Sequence, residues 1–321
     1  MLVVTDLSQS PWKGRRAVVT IGAYDGVHRG HQSVIAAVRA KAAAEGALSA
    51  VVTFDKHPAS VVRPESAPLL LTDLDQKLEL LEATGVDAVV VVPFDRQQAS
   101  EEPREFVTRV LVDCLSVSHV AVGEDFHFGR NRAGDVAMLR EQGAVHDFSV
   151  GPIELLQRDD GVDEPVSSTA IRRALKGGDV AVASHMLGRW FEARGPVVDG
   201  DHRGRTIGFA TANVQVPGFI CLPADGVYAG IYIRPDGSRW ACAVNLGRRP
   251  TFYEHSDTSL LEAHLIDASV NLYGEPARVQ FTHFLRSERK FNGPDALIAQ
   301  VKLDIDHARE LVNSLPPGVR P

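Results

Sequence analysis

The chain has 321 residues, 44% of them hydrophobic and 23% charged, with a formal net charge of -7. This is the composition of a folded globular protein long enough for two ordinary domains, and it excludes a disordered chain. No basic stripe points to a nucleic-acid partner, and no apolar run approaches the roughly 20 residues that a membrane helix needs.

In chain order, MLVVTDLSQSPWKGRR has a short apolar patch and an early Asp6, without the basic-then-apolar order of a secretory leader. AVVTIG (17–22) reads as a strand ending at glycine, and QSVIAAVRAKAAAEG (32–46) as a helix with Val34, Ile35, Val38 and Ala42 on one face. SAVVTF (49–54) is a predicted strand, and DLDQKLELLEATG (73–85) a helix carrying Leu74, Leu78 and Leu81. The nearly unbroken β-branched run of VDAVVVVPF (86–94) predicts a strand buried on both faces. PREFVTRVLVDCL (103–115) then reads as helix, HVAVG (119–123) as strand, GDVAMLREQGA (134–144) as helix and VHDFSV (145–150) as strand. This alternation predicts a doubly wound parallel sheet with right-handed crossovers, whose ligands sit beyond the carboxyl ends of the strands.

STAIRRALKGG (168–178) and DVAVASHMLG (179–188) predict two short helices. After them the pattern changes to short alternating strands: FEARGPVVDGD, TANVQV, GVYAGIYI, SRWACAVNLG, SLLEAHLID and ARVQFTHFLR, with RPDG (234–237) as a strong turn. They predict a small antiparallel β-barrel, followed by a terminal helix over 294–315 with Pro294 near its first turn. The expected boundary lies near residue 186, giving an N-terminal α/β domain over 1–186 and a C-terminal barrel domain over 187–321. Cys114, Cys221 and Cys242 are odd in number and widely spaced, so they read as reduced buried thiols rather than a disulfide or zinc site, and the expected compartment is the cytoplasm.

The most specific string is TIGAYDGVHRGHQ (20–32). A strand ends at Gly22, the chain turns through Asp25 and Gly26, and His28 and His31 lead into a helix. Glycines let the backbone approach a phosphate, and a helix N-terminus offers unpaired N–H groups and a positive dipole end. Two imidazoles three residues apart can reach one phosphoryl group and stabilise charge developing during attack on the α-phosphorus of ATP. Two other readings stand on the residues alone. One is half of a zinc site, although no H-E-x-x-H is present; the other is two unrelated surface histidines.

In the second half, GDHRGRTIGFATANV (200–214), which includes Gly208, is a Gly/Arg-rich loop able to wrap phosphates by backbone N–H groups. Glu262 interrupts an apolar strand and shares a face with His264. A carboxylate there is either a general base facing a ligand pocket or an ordinary solvent-facing position.

H-x-G-H after a first strand resembles the nucleotidyltransferase superfamily. With Asp-Gly-Val before it, the string resembles the adenylylating module of bacterial bifunctional riboflavin kinase/FAD synthetases. TFDKHP (53–58) resembles that family's T-F-D-x-H-P, VGEDFHFGRNRAGD (122–135) its G-x-N-F-x-F-G-x-x-x-x-G-D, and VSSTAIRRAL (166–175) its S-S-T-x-I-R. GRTIGFATAN resembles the G-R-x-x-G-F-P-T-A-N signature of riboflavin kinases, and AVNLGRRPTF (243–252), LLEAHLID (260–267) and FLRSERKF (284–291) follow in family order. The resemblance spans about residues 17–313.

It implies an enzyme that phosphorylates riboflavin to FMN and adenylates FMN to FAD, using ATP both times with Mg2+. His28 and His31 would stabilise the adenylyl-transfer transition state. His57, Asp125 and Phe128 would lie near the FMN and ATP sites. Ser168, Thr169 and Arg172 would hold the phosphates that leave as pyrophosphate; the other reading of Arg172, and more so of Arg173, is a solvated helix face. In the second domain, Thr211 and Asn213 would help hold Mg2+ and ATP phosphates, Glu262 would activate the ribityl 5′-hydroxyl, and Asn245 and Arg286 would be flavin- or nucleotide-side residues.

Two departures matter. Asp125 stands where the family has Asn, and a carboxylate cannot donate a hydrogen bond and repels phosphate. Ala210 stands where it has Pro, leaving the turn before Thr211 less preorganised; Tyr24 for Phe is milder. Three other functions fit the sequence less well. A lone adenylyltransferase with a decayed kinase half is opposed by the retained Thr211, Asn213 and Glu262. A non-catalytic flavin binder is opposed by both phosphate motifs, and an H-x-G-H transferase for another substrate by the kinase-like second half. The oligomeric state is not legible.

Overall fold

The computed structural model describes residues 1–12, 14–199, 209–248, 259–268 and 270–316. Contacts divide the chain into two compact units, Met1–Ser167 and Ser168–Pro321.

In the first unit, β2 (Ala17–Ile21) and β4 (Ala88–Val92) are buried along their whole length. Runs of small and β-branched apolar residues without polar alternation are stable only when both faces are covered. With β1 (Leu2–Val4), β3 (Leu48–Phe54), β5 (Val117–Val122) and β6 (Ser149–Pro152) they form a parallel sheet in the order β1-β4-β3-β2-β5-β6. The chain moves from β2 through β3 to β4, then returns to the other side of β2 with β5. The β2/β5 pair is therefore the switch point, where crossovers depart in opposite directions and leave a crevice beyond the strand ends.

Helix α1 (Arg29–Glu45) follows β2 and closes at Gly46, whose φ of 64° is the left-handed conformation that glycine adopts without strain. Helices α2 (Pro58–Val62), α3 (Leu74–Ala83), α4 (Pro103–Phe106) and α5 (Val136–His146) complete this unit's α-helices. Three details differ from the pattern reading. The N-terminal apolar patch is an edge strand, β1, paired with β4; three residues carry no measurable period. The helix over 103–115 is α-helical only to Phe106, then widens into a π-helix over Val107–Cys114, with Leu115 N donating to Val110 O. Helix α5 runs on to His146 before Asp147 caps it, so β6 begins at Ser149 rather than 145.

The second unit opens with α6 (Ser168–Lys176) and α7 (Val180–Leu187). Helix α6 packs on α7, and α7 on the barrel strands, so the compact division falls earlier than the boundary expected near residue 186. The strands β7 (Phe191–Val198), β8 (Ala212–Val214), β9 (Gly226–Ile233), β10 (Arg239–Arg248), β11 (Ser259–Leu265) and β12 (Pro276–Arg286) close an antiparallel barrel in the order β10-β11-β8-β7-β12-β9. The terminal helix α8 (Pro294–Ser314) lays Ile305, Ala308 and Val312 against Ala229, Ile231 and Ile233 of β9. Among the described residues, no helix is long and apolar enough to cross a membrane.

Candidate functional site

The turn between β2 and α1 is strained. Tyr24 and Val27 have φ of 50° and 38°, and for a β-branched residue such as Val27 this is a costly conformation. Its surroundings enforce it. Buried Asp25 accepts from Leu71 N at 2.9 Å and Thr72 N at 3.2 Å, and Gly26 N donates to Thr72 Oγ1. Gln32 Nε2 donates to Val27 O at 2.8 Å, and the Tyr24 hydroxyl shares a 2.7 Å hydrogen bond with Thr20 Oγ1. Gly22 N donates to Val52 O, and a side chain on Gly22 would crowd the Tyr24 ring. Asp25 thus braces the turn through backbone amides.

His28 is the N-cap of α1, and its Nδ1 accepts from His31 N at 3.3 Å, so the neutral ring carries its proton on Nε2. The two imidazoles stack with centroids 3.6 Å apart. His31 Nδ1 is buried and has no hydrogen-bond partner. Burial first, then the charges of His28 and Lys77, hold this imidazole well below the usual histidine range, so it is neutral at pH 7. Arg29 is engaged by both oxygens of Asp159 at 3.2 Å.

His57 caps α2, accepting from Ala59 N at 3.1 Å, and with Asp25, Asp55 and Lys77 it lines a small cavity at the carboxyl edge. Asp125 is exposed in the loop after β5. Phe128 is only 8% exposed and sits in the core, 5.7 Å from the Phe106 ring and 5.5 Å from a stacked, half-buried Phe126. Its backbone pairs with Gly134, closing the end of the loop that runs from Asp125 to Gly134. Lys77 escaped the sequence reading, although its spacing from Leu74 and Leu81 puts it on the apolar face of α3. Ser168, Thr169 and Arg172 lie on α6 of the second unit, with Ile171 and Leu175 buried beneath them.

The barrel unit holds a cavity of about 1340 Å³, lined by Thr211, Asn213, Asn245, Glu262 and Arg286. Gly208 lies outside the described residues. Cross-strand register sets Asn213 of β8 opposite Glu262 of β11, and Glu262 opposite Asn245 of β10. Directly paired side chains share a face, so these three form one polar row across the cavity wall. His264 Nδ1 donates to Ala210 O at 2.8 Å, tying the segment just before β8 to β11. The guanidinium of Arg286 is engaged by Asp304 of α8, with Nη2 at 2.7 Å, and by Ser287 O. It is a strut between β12 and α8. Glu288, also on the cavity wall, has its carboxyl pushed up by burial and by the charges of Asp225 and Glu262.

The FAD synthetase family model matches residues 10–170 and the riboflavin kinase model residues 187–312. The bifunctional riboflavin kinase/FMN adenylyltransferase of Pseudomonas fluorescens is 38% identical over 297 residues, 92% of this chain and 93% of that one. The chain belongs to the bifunctional riboflavin kinase/FMN adenylyltransferase family. The Escherichia coli K12 member is 36% identical over 315 residues, covering 98% of both chains. A solved structure described as a macrolide-efflux protein from Streptococcus pneumoniae has the same fold, with a TM-score of 0.83 and 27% identity over 96% of this chain and 99% of that one. The family's adenylylating motifs up to Ser167 thus fall in the parallel-sheet unit, and the described parts of its kinase motifs in the barrel unit.

Proposed function

We propose that this chain makes FAD in two steps. Residues 187–321 phosphorylate riboflavin to FMN, and residues 1–186 adenylate FMN to FAD and release pyrophosphate; each step consumes ATP. The observation that carries the reading is the row Asn213–Glu262–Asn245 on a large cavity, in a chain that also carries a stacked His28/His31 pair at a sheet switch point.

In the kinase step the nucleophile is a neutral hydroxyl, so a base is required. Glu262 takes the 5′-hydroxyl proton as the oxygen attacks the γ-phosphorus, the bond to the bridging oxygen breaks and ADP leaves. Thr211 Oγ1 and the Asn213 amide oxygen are hard donors of the kind that suit Mg2+, which binds one or two protein groups together with nucleotide phosphates. When bound, Mg2+ supplies charge neutralisation on those phosphates. Asn245 then faces the flavin or the nucleotide.

In the adenylyl step the nucleophile is a phosphate oxygen of FMN, already ionised, so no base is needed. The demand is for hydrogen-bond donors toward charge developing at the α-phosphate, and His28 and His31 supply them. Ser168, Thr169 and Arg172 hold the leaving pyrophosphate. Gly22 and Gly26 leave room for the nucleotide's phosphates, and Asp25 holds the turn. A cytoplasmic location fits ATP-dependent flavin metabolism.

The test is a chromatographic time course with riboflavin, ATP and Mg2+. FMN rising first and FAD second is expected. FAD formed from added FMN without any riboflavin turnover overturns the kinase half.

A further inference from the structure

We propose that Lys77 is a positioning residue for adenylyl transfer: its buried ammonium ties the carboxyl ends of β2 and β3 together and fixes the strained turn that presents His28 and His31. This rests on the adenylyltransferase reading above.

An ammonium has three N–H donors, and all three are occupied. Lys77 Nζ donates to Ala23 O at 3.3 Å, Thr53 Oγ1 at 3.3 Å and Phe54 O at 2.7 Å. Thr53 Oγ1 in turn donates to Ala23 O at 3.1 Å, closing a ring of bonds between the two strand ends. Ala23 immediately precedes left-handed Tyr24, the first residue of the strained turn. With no donor left over, Lys77 reaches a substrate only through the backbone it holds.

A methionine would fill this place on the apolar face of α3 without the cost of desolvating a charge. The charge is retained beside a site that gathers phosphates. The groups facing it are Asp25 from the β2 turn, Asp55 and His57 from the segment after β3, and Asp73 at the start of α3, with His31 within electrostatic reach. Burial outweighs the attraction of Asp25 and Asp55, and the ammonium is pushed down to about 8. Above that pH the amine keeps two donors for three acceptors and turns a lone pair toward one of them.

The sign separates positioning from scaffolding. Below pH 8 the folded chain bears the cost of a buried charge. Between about 8 and the ordinary lysine value of 10.5, the folded state has shed the proton while the unfolded state keeps it. The contribution of Lys77 to stability therefore rises with pH over that window. A scaffold role leaves the fold no weaker there, whereas a positioning role loses adenylyl transfer.

The experiment measures FMN adenylation, riboflavin phosphorylation and thermal unfolding of the full chain and of Lys77→Met and Lys77→Arg, from neutral to alkaline pH. Lys77→Met is expected to lower kcat for adenylation on the order of 100-fold, with little change in KM, since small misplacements of reacting groups have effects of that size. Riboflavin phosphorylation stays unchanged. Wild-type adenylation falls with a midpoint near pH 8, without an accompanying loss of fold. Lys77→Arg, whose charge persists at high pH, moves that alkaline limb upward. Near wild-type kcat in Lys77→Met overturns the proposal, as does an unmoved limb in Lys77→Arg, and the second variant decides if the first does not fold. Wild-type FAD formation is the control: its absence overturns the adenylyltransferase reading and this inference together.

Discussion

A methyl group at position 30 would sit 3.1 Å from both His28 Nδ1 and Val166 O. The glycine of H-x-G-H is therefore a packing requirement of the stacked imidazoles as well as a turn residue. Gly30→Ala is expected to push the His28 ring out of its stack and lower FMN adenylation about tenfold while riboflavin phosphorylation is unchanged, measured on one preparation. Glu262 sits between two asparagines, where an amide in its place keeps the shape and removes the base. Glu262→Gln should lower riboflavin phosphorylation about 1000-fold with adenylation intact, as read by FMN and FAD yields. Both histidines and Glu262 could be singled out because they lie in contiguous strings that resemble family motifs; the structure adds the imidazole stack and the polar row. Lys77 was not: its acceptors lie 54, 24 and 23 residues away in sequence. Phe128 stands in a string that matches its family, but only packing reveals that its ring is held between Phe106 and Phe126.

Elements were legible where one rule governs them. Strand β9 falls on the predicted GVYAGIYI run, but it is buried on both faces rather than alternating, because α8 covers the side turned away from the barrel interior. The π-helix over Val107–Cys114 was hidden, since a widened turn and an α-helix share nearly the same apolar spacing. The Arg286–Asp304 pair was also hidden, because the two residues lie 18 apart on a strand and a helix; Arg286 lines the cavity as well as pairing with Asp304. Asp304 is 7% exposed, and its carboxylate also accepts from Gln300 Nε2 at 2.7 Å. Asp304→Ala leaves Arg286 unpaired between β12 and α8 and should cost about 3 kcal/mol of barrel stability, read by urea unfolding.

For the molecule as a whole, two phosphate chemistries on two compact units predict a shared dependence with separable sites. Chelation of Mg2+ is expected to stop both FMN and FAD formation, and restoring the ion should recover both. Persistence of either activity in excess chelator would separate that step from the metal. The sequence by itself determined the order of elements, the change from an α/β to an antiparallel β pattern, and the motifs, because backbone periodicity and contiguous chemistry are local properties of a chain. Tertiary structure decided that β2 and β5 are neighbours, that Asn213, Glu262 and Asn245 stand in one row, and that Lys77 and Arg286 are ties rather than free cations. Those facts depend on strand register and on burial, which arise only when distant segments compete for the same partners.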